Sequence, residues 1–187
     1  MRKAELSAHT ACFIFLLIFA GCSLDYEEAG IAEDIAEEIP ETVFIDFTHT
    51  IVDSGRRWVV LEAERAESYP KRKEVVLDKV SFREYDEQGE IVISGKADGA
   101  VFYTDSENAT LAGGIFIYSA PEEAGLYAES LTWTREGRIL ESGGEDPVLM
   151  RKDDGSFMEG RIFRADLRRK EFRFAAGVNG RYEQTEE

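Results

Sequence analysis

Leu61-Glu62-Ala63-Glu64-Arg65-Ala66 sets an apolar residue, a spacer, a small residue and two more spacers in a row, and this outline returns three times. Ile93-Ser94-Gly95-Lys96-Ala97-Asp98, Leu126-Tyr127-Ala128-Glu129-Ser130-Leu131 and Met158-Glu159-Gly160-Arg161-Ile162-Phe163 repeat it, their starts 32, 33 and 32 residues apart. Recurrence at a near-constant interval is the signature of a stacked architecture. Leu77-Asp78-Lys79-Val80-Ser81-Phe82 and Leu111-Ala112-Gly113-Gly114-Ile115-Phe116 sit roughly halfway along their intervals. The repeating unit is then a hairpin of two strands, about 16 residues each.

The inner spacing carries a bend. Leu77 to Val80 is three residues and Val80 to Phe82 is two; Ala97, Ala100 and Phe102 repeat the count, as do Ala128, Leu131 and Trp133. An extra residue in an alternating strand is what a bulge supplies. Bends at matching places fold a stack of hairpins lengthwise, so that two sheets face each other across one crease. Small residues at Ala63, Gly95, Ala128 and Gly160 suit a crease where backbones approach closely.

Working outward, β-branched and aromatic runs begin at Val43-Phe44-Ile45-Asp46-Phe47 and continue to Phe172-Arg173-Phe174, separated by turn signals such as Asp53-Ser54-Gly55, Glu87-Gln88-Gly89 and Asn179-Gly180. No stretch after residue 42 keeps a helical period for three turns, so the fold class is all-β. Asn108-Ala109-Thr110 matches a glycosylation sequon but reads as a turn.

The N-terminal part is different. Arg2 and Lys3 precede the apolar residues 11–21 (ACFIFLLIFAG), and Cys22 follows. That is the order of a secretory signal. Phe19-Ala20-Gly21-Cys22 resembles a bacterial lipobox: Ala20 and Gly21 admit the peptidase, and the Cys22 thiol takes diacylglycerol. Phe19 stands where leucine is usual. The alternative is an uncleaved anchor, for which the apolar stretch is short, since a spanning helix wants ~20 residues. Residues 23–42 carry eight acids and no base, the composition of a solvated tether. The expected organisation is a lipoprotein-type signal over 1–21, a lipidated Cys22 and acidic tether over 22–42, and a β-domain over 43–187. Either anchor holds the chain at a membrane, outside the cytoplasm.

Charge and composition narrow the chemistry. The chain of 187 residues has 22 Lys and Arg against 38 Asp and Glu, net −16, which argues against general nucleic-acid binding. His9 and Cys12 fall within the signal, leaving His49 and Cys22 to a mature chain. That count argues against a zinc cluster, a disulfide framework and a Cys–His nucleophile pair. No metal or cofactor is expected. His49 reads as a solvated strand histidine, and no residue set reads as catalytic. Residues 161–173 hold Arg161, Arg164, Arg168, Arg169, Lys170 and Arg173 against Asp166 and Glu171, and Lys71-Arg72-Lys73 is a smaller basic cluster. These fit contact with lipid phosphates or an acidic partner, and equally fit charged protection of a sheet edge.

Trp58-Val59-Val60-Leu61-Glu62-Ala63-Glu64-Arg65-Ala66-Glu67-Ser68-Tyr69, followed by Val75-Val76-Leu77-Asp78-Lys79-Val80-Ser81-Phe82, resembles the opening of the periplasmic LptC component of lipopolysaccharide export. The later hairpins resemble the repeat shared with LptA and OstA-like proteins, over roughly residues 43–175. The resemblance implies a folded-over, open β-jellyroll whose apolar groove carries acyl chains. It implies passage of lipopolysaccharide or a related glycolipid from an inner-membrane ABC transporter (LptB/F/G-like) to an LptA-like periplasmic jellyroll. Members typically keep a membrane helix where this chain has Cys22, so a periplasmic lipoprotein at the inner membrane is expected. The alternatives are an LptA-like bridge unit and a surface lipoprotein binding protein or glycan.

Strand alternation points Val59, Leu61, Val80, Phe82, Ile93, Phe102, Phe116, Leu131, Trp133 and Phe163 inward as candidate lipid contacts. Phe172, Arg173 and Phe174 lie on the expected last strand, a free edge on which a partner jellyroll can dock.

Overall fold

The computed structural model describes residues 38–183. The expected signal, Cys22 and residues 23–37 of the tether lie outside the described residues. Ten strands follow one another: β1 (Thr42–Asp53), β2 (Arg56–Tyr69), β3 (Glu74–Tyr85), β4 (Ile91–Tyr103), β5 (Asn108–Ser119), β6 (Ala124–Thr134), β7 (Ile139–Ser142), β8 (Val148–Lys152), β9 (Phe157–Asp166) and β10 (Glu171–Arg181). All join one antiparallel sheet in chain order, except that β7 and β8 share one place. β7 pairs with one half of β6 and β8 with the other, and both then pair with β9. Residues 143–147 interrupt that position. Among the described residues β1 and β10 pair only with β2 and β9, respectively, so the sheet is open. Asn108, expected in a turn, instead begins β5, where its Oδ1 accepts the Arg135 backbone N–H at 2.9 Å.

Strands of ten to fourteen residues are long for one flat sheet, and here they bend in the middle. Left-handed residues fall inside them: Asp46 in β1, Lys79 in β3, Gly113 and Gly114 in β5, Ile162 in β9 and Gly177 in β10. The pairing register slips by one beside Gly113-Gly114, between Ala112 and Ile115. These positions line up across the sheet as one crease.

Two rows of inward residues flank the crease, and their sizes alternate from strand to strand except where Leu111 meets Leu131. One runs Ala63, Val80, Ala97, Ile115, Ala128, Val148, Gly160; the other runs Ala66, Leu77, Ala100, Leu111, Leu131, Ser142, Phe163. Most are buried, Leu131 wholly so. Placing small residues on β2 and β4 between large ones on β3 and β5 lets the rows interdigitate without voids. Outside the bend, Lys79 Nζ meets Asp98 Oδ1 at 2.5 Å, and the Asp98 carboxylate keeps the Lys79 ammonium protonated above its usual range.

The backbone at Ile162 is strained. Its φ is 55° and its side chain is exposed, whereas a β-branched residue there costs ~1–2 kcal/mol. Asparagine tolerates this conformation. Ile162→Asn should therefore stabilise the fold by about 1 kcal/mol, read as a raised urea midpoint with unchanged slope.

Candidate functional site

Moving outward from the crease, each half of the sheet presents a second apolar row on its inner face. On one wall the pairing runs Leu61–Phe82–Gly95–Ile117–Leu126–Met150–Met158. On the other it runs Val75–Phe102–Ala109–Trp133–Leu140–Ala165–Phe172. These side chains are half-buried, and at the far end Met158 and Phe172 are exposed. The inner face is thus dry at the crease and accessible away from it. Its walls are apolar over seven strands, the lining that suits a flexible hydrocarbon chain.

The ten residues singled out by alternation separate into three groups. Val80, Leu131 and Phe163 belong to the crease rows and are sealed in the core. Leu61, Phe82, Phe102 and Trp133 stand in the half-buried rows, with Val59 and Ile93 one step farther along the same face, either side of Glu84. Phe116 lies on the opposite face. The count from Leu111 to Phe116 was matched to that from Leu77 to Phe82, but β5 contains one residue more at Gly113-Gly114. That residue turns Ile115 and Ile117 inward and Phe116 out, a one-place slip that exchanges the faces of a strand.

A similar slip affects the small residues. On β4 the crease residue is Ala97, with Ala100 beyond it; Gly95 is one pair out. The Phe82 ring covers Gly95 so closely that a Cβ there would run into it. Gly160 is on the crease as expected, and the Phe174 ring fills the space its Cβ would need, at 2.7 Å. That contact ties β10 to β9, together with Phe163 against Phe174 at 5.3 Å and Phe172 at 6.4 Å between centroids. Arg173 points away from them and pairs in register with Arg164. His49 is exposed on the inner face of β1, stacked on Phe47 at 6.3 Å.

Sequence reading had no signal for the outer face. There Phe116 and Tyr127 pack at 4.8 Å over Gly125, and with Lys96, Pro147, Leu149, Glu129 and Glu159 they border an open cleft of about 610 Å³. Beside it the Tyr118 hydroxyl donates to Asp153 Oδ2 at 2.7 Å, which raises the pKa of the phenol. Among the described residues no three His, Cys, Asp or Glu side chains group as metal ligands, and no helix is long and apolar enough to cross a membrane.

The sequence matches the family described as lipopolysaccharide-assembly, LptC-related, over residues 10–183. Among solved structures, it is similar to LptH from Pseudomonas aeruginosa, the LptA homologous periplasmic component of the conserved lipopolysaccharide transport device. The identity is 11% and the TM-score 0.33, over 80% of this chain and 99% of that one. No curated protein sequence matches the chain.

Proposed function

The chain belongs to the LptC-related family of lipopolysaccharide assembly, and from that premise we propose that it is a membrane-tethered periplasmic carrier. It takes lipopolysaccharide or a related glycolipid from an inner-membrane ABC transporter and passes it to an LptA-like jellyroll. Diacylglycerol on Cys22 is the proposed tether, and residues 43–187 are the carrier domain.

One observation carries this reading: the two half-buried apolar rows that continue across the sheet on either side of a sealed crease. A carrier must hold acyl chains well enough to keep them from water and loosely enough to hand them on. Each methylene removed from water contributes ~0.8 kcal/mol, so ten methylenes against these walls give ~8 kcal/mol before the cost of association. No catalytic step is needed, since transfer between like grooves exchanges one apolar contact for another.

The cleft at Phe116 and Tyr127 favours a second reading, a surface that binds glycan or protein through its outer face. Photocrosslinking separates the two. With benzoylphenylalanine at Phe102, lipopolysaccharide should be captured; with the same group at Tyr127 it should not. Trp133→Arg should cut capture at Phe102 by about tenfold or more while the β-sheet circular dichroism persists, because a charge on the wall stays hydrated only by excluding the chain. Equal capture from Tyr127 and Phe102, or none from Phe102, would count against the inner face as the lipid route.

A further inference from the structure

The hairpin turns divide by charge. Those at one end of the strands, residues 54–55, 86–90, 120–123 and 153–156, hold seven acids and no base. Those at the other end, residues 70–73, 104–107, 135–138 and 167–170, hold eight bases and three acids. Because the strands bend in the middle, each set of turns forms the lip of one wall. One lip is acidic. The basic lip borders the wall that carries Val75, Phe102, Trp133 and Phe172.

The four turns of the basic lip share a geometry. Each has four residues and ends at positive φ: Lys73 at 56°, Glu107 at 54°, Arg138 at 51° and Lys170 at 55°. Glycine or asparagine is the ordinary occupant of such a place. Three of the four hold a long cation instead. On the acidic lip Gly55, Gly89 and Gly155 take positive φ, with Ser54 and Glu123 the exceptions and no cation among them; the cations at the basic edge signal a use for those side chains. Lys73, Arg138 and Lys170 each stand two residues before an inner-face apolar residue, namely Val75, Leu140 and Phe172. Arg72, Lys73, Arg135 and Arg169 have carboxylate partners. Lys71, Arg138 and Lys170 have none among the described residues.

We propose that the basic lip seats the phosphate-bearing headgroup of the lipid whose acyl chains lie against the adjoining wall. This rests on the carrier reading above and adds a direction to it. Ammonium and guanidinium groups donate charge-assisted hydrogen bonds to phosphate oxygens. The acidic lip repels the same headgroup, so the lipid enters in one orientation, its phosphates on the side of the turns at 70–73, 135–138 and 167–170. The attraction is exposed and weakens as salt rises.

The test uses the full chain in detergent, with the crosslinker at Phe102 and two probes: diphosphoryl lipid A and the same lipid with its phosphates removed. Lys73→Gly, Arg138→Gly and Lys170→Gly together remove three charges and also relieve the backbone, so the melting temperature should not fall. Capture of the diphosphoryl lipid at limiting concentration should drop by about tenfold or more and lose most of its salt dependence. Capture of the dephosphorylated lipid should be unchanged. Neutralising the other lip with Glu90→Gln and Glu122→Gln should lower neither. Inorganic phosphate at matched ionic strength should not compete. The proposal is overturned if the triple variant captures the diphosphoryl lipid like the parent with the same salt response, or if inorganic phosphate displaces it, which would mark a free-anion site. If the parent captures neither probe at Phe102, the carrier reading falls, and this proposal with it.

Discussion

Leu131→Arg should fail to fold. Leu131 is fully buried on β6, paired with Leu111 on one side and Ser142 on the other, at the crease where both halves of the sheet meet. A guanidinium there meets only apolar core neighbours and Ser142, with no carboxylate to pair with it. Leaving an uncompensated charge in such a place costs on the order of 3–5 kcal/mol, and losing the leucine's packing adds ~2–5 kcal/mol, so the two together reach the whole stability of an ordinary domain. Leu131→Ala, which only opens a cavity, should cost ~2–5 kcal/mol and leave a folded protein with a lower urea midpoint. The measurement is circular dichroism and denaturant unfolding of both variants. A folded Leu131→Arg chain with near-parental stability would show that the crease is not the packed centre of the fold.

That expectation differs from what alternation alone offers, and the difference lies in burial. Strand periodicity places Leu131 and Trp133 on the same face and gives no way to tell a sealed residue from an accessible one. The two are separated by the distance from the crease. Leu131 flanks it, while Trp133 stands one pair farther out in the half-buried row. The crease itself was legible, because the three-then-two spacing at Leu77, Val80 and Phe82 is local and the structure puts Lys79 at positive φ there. At Gly113-Gly114 the same reading slipped, since two adjacent glycines can absorb one extra residue and the sequence does not say which. Phe116 changed face as a result. Gly95 was given the crease position of Ala97 for a similar reason: both are small and two residues apart, and only cross-strand pairing with Val80 decides between them. The charge on the two lips was present in the sequence but scattered. The basic run of 167–170 and the cluster of 71–73 are about a hundred residues apart in the chain, and sheet order brings them to one edge.

The second large effect concerns β10. Among the described residues the strand pairs only with β9, leaving one side of its backbone without strand partners, and Phe172 is exposed at its start. Such an edge can accept the strand of a similar sheet, so that main-chain bonds give affinity and the inner apolar row continues into the partner. Truncating the strand is a poor test, because Phe174 covers Gly160 and packs on the buried Phe163; its loss would open the core. Proline substitution is cleaner. In an antiparallel edge strand alternate residues turn their N–H toward the neighbouring strand or away from it. A proline scan at Glu171, Phe172, Arg173 and Phe174 should therefore fall into two alternating classes. One class breaks bonds to β9 and lowers the melting temperature. The other keeps the fold, because its N–H had no strand to bond, yet removes a donor from the docking edge and sets a ring against the incoming strand. Variants of that second class should bind an LptA-like jellyroll at least about tenfold more weakly, the loss of one hydrogen bond and the clash of the ring with the incoming strand. Binding of the parent should weaken modestly with salt, since Arg173 is an exposed charge and its neighbour Arg164 is already paired with Glu141. If every proline variant that keeps the parental melting temperature also keeps the parental affinity, β10 is not the docking edge and the partner must be met elsewhere on the sheet.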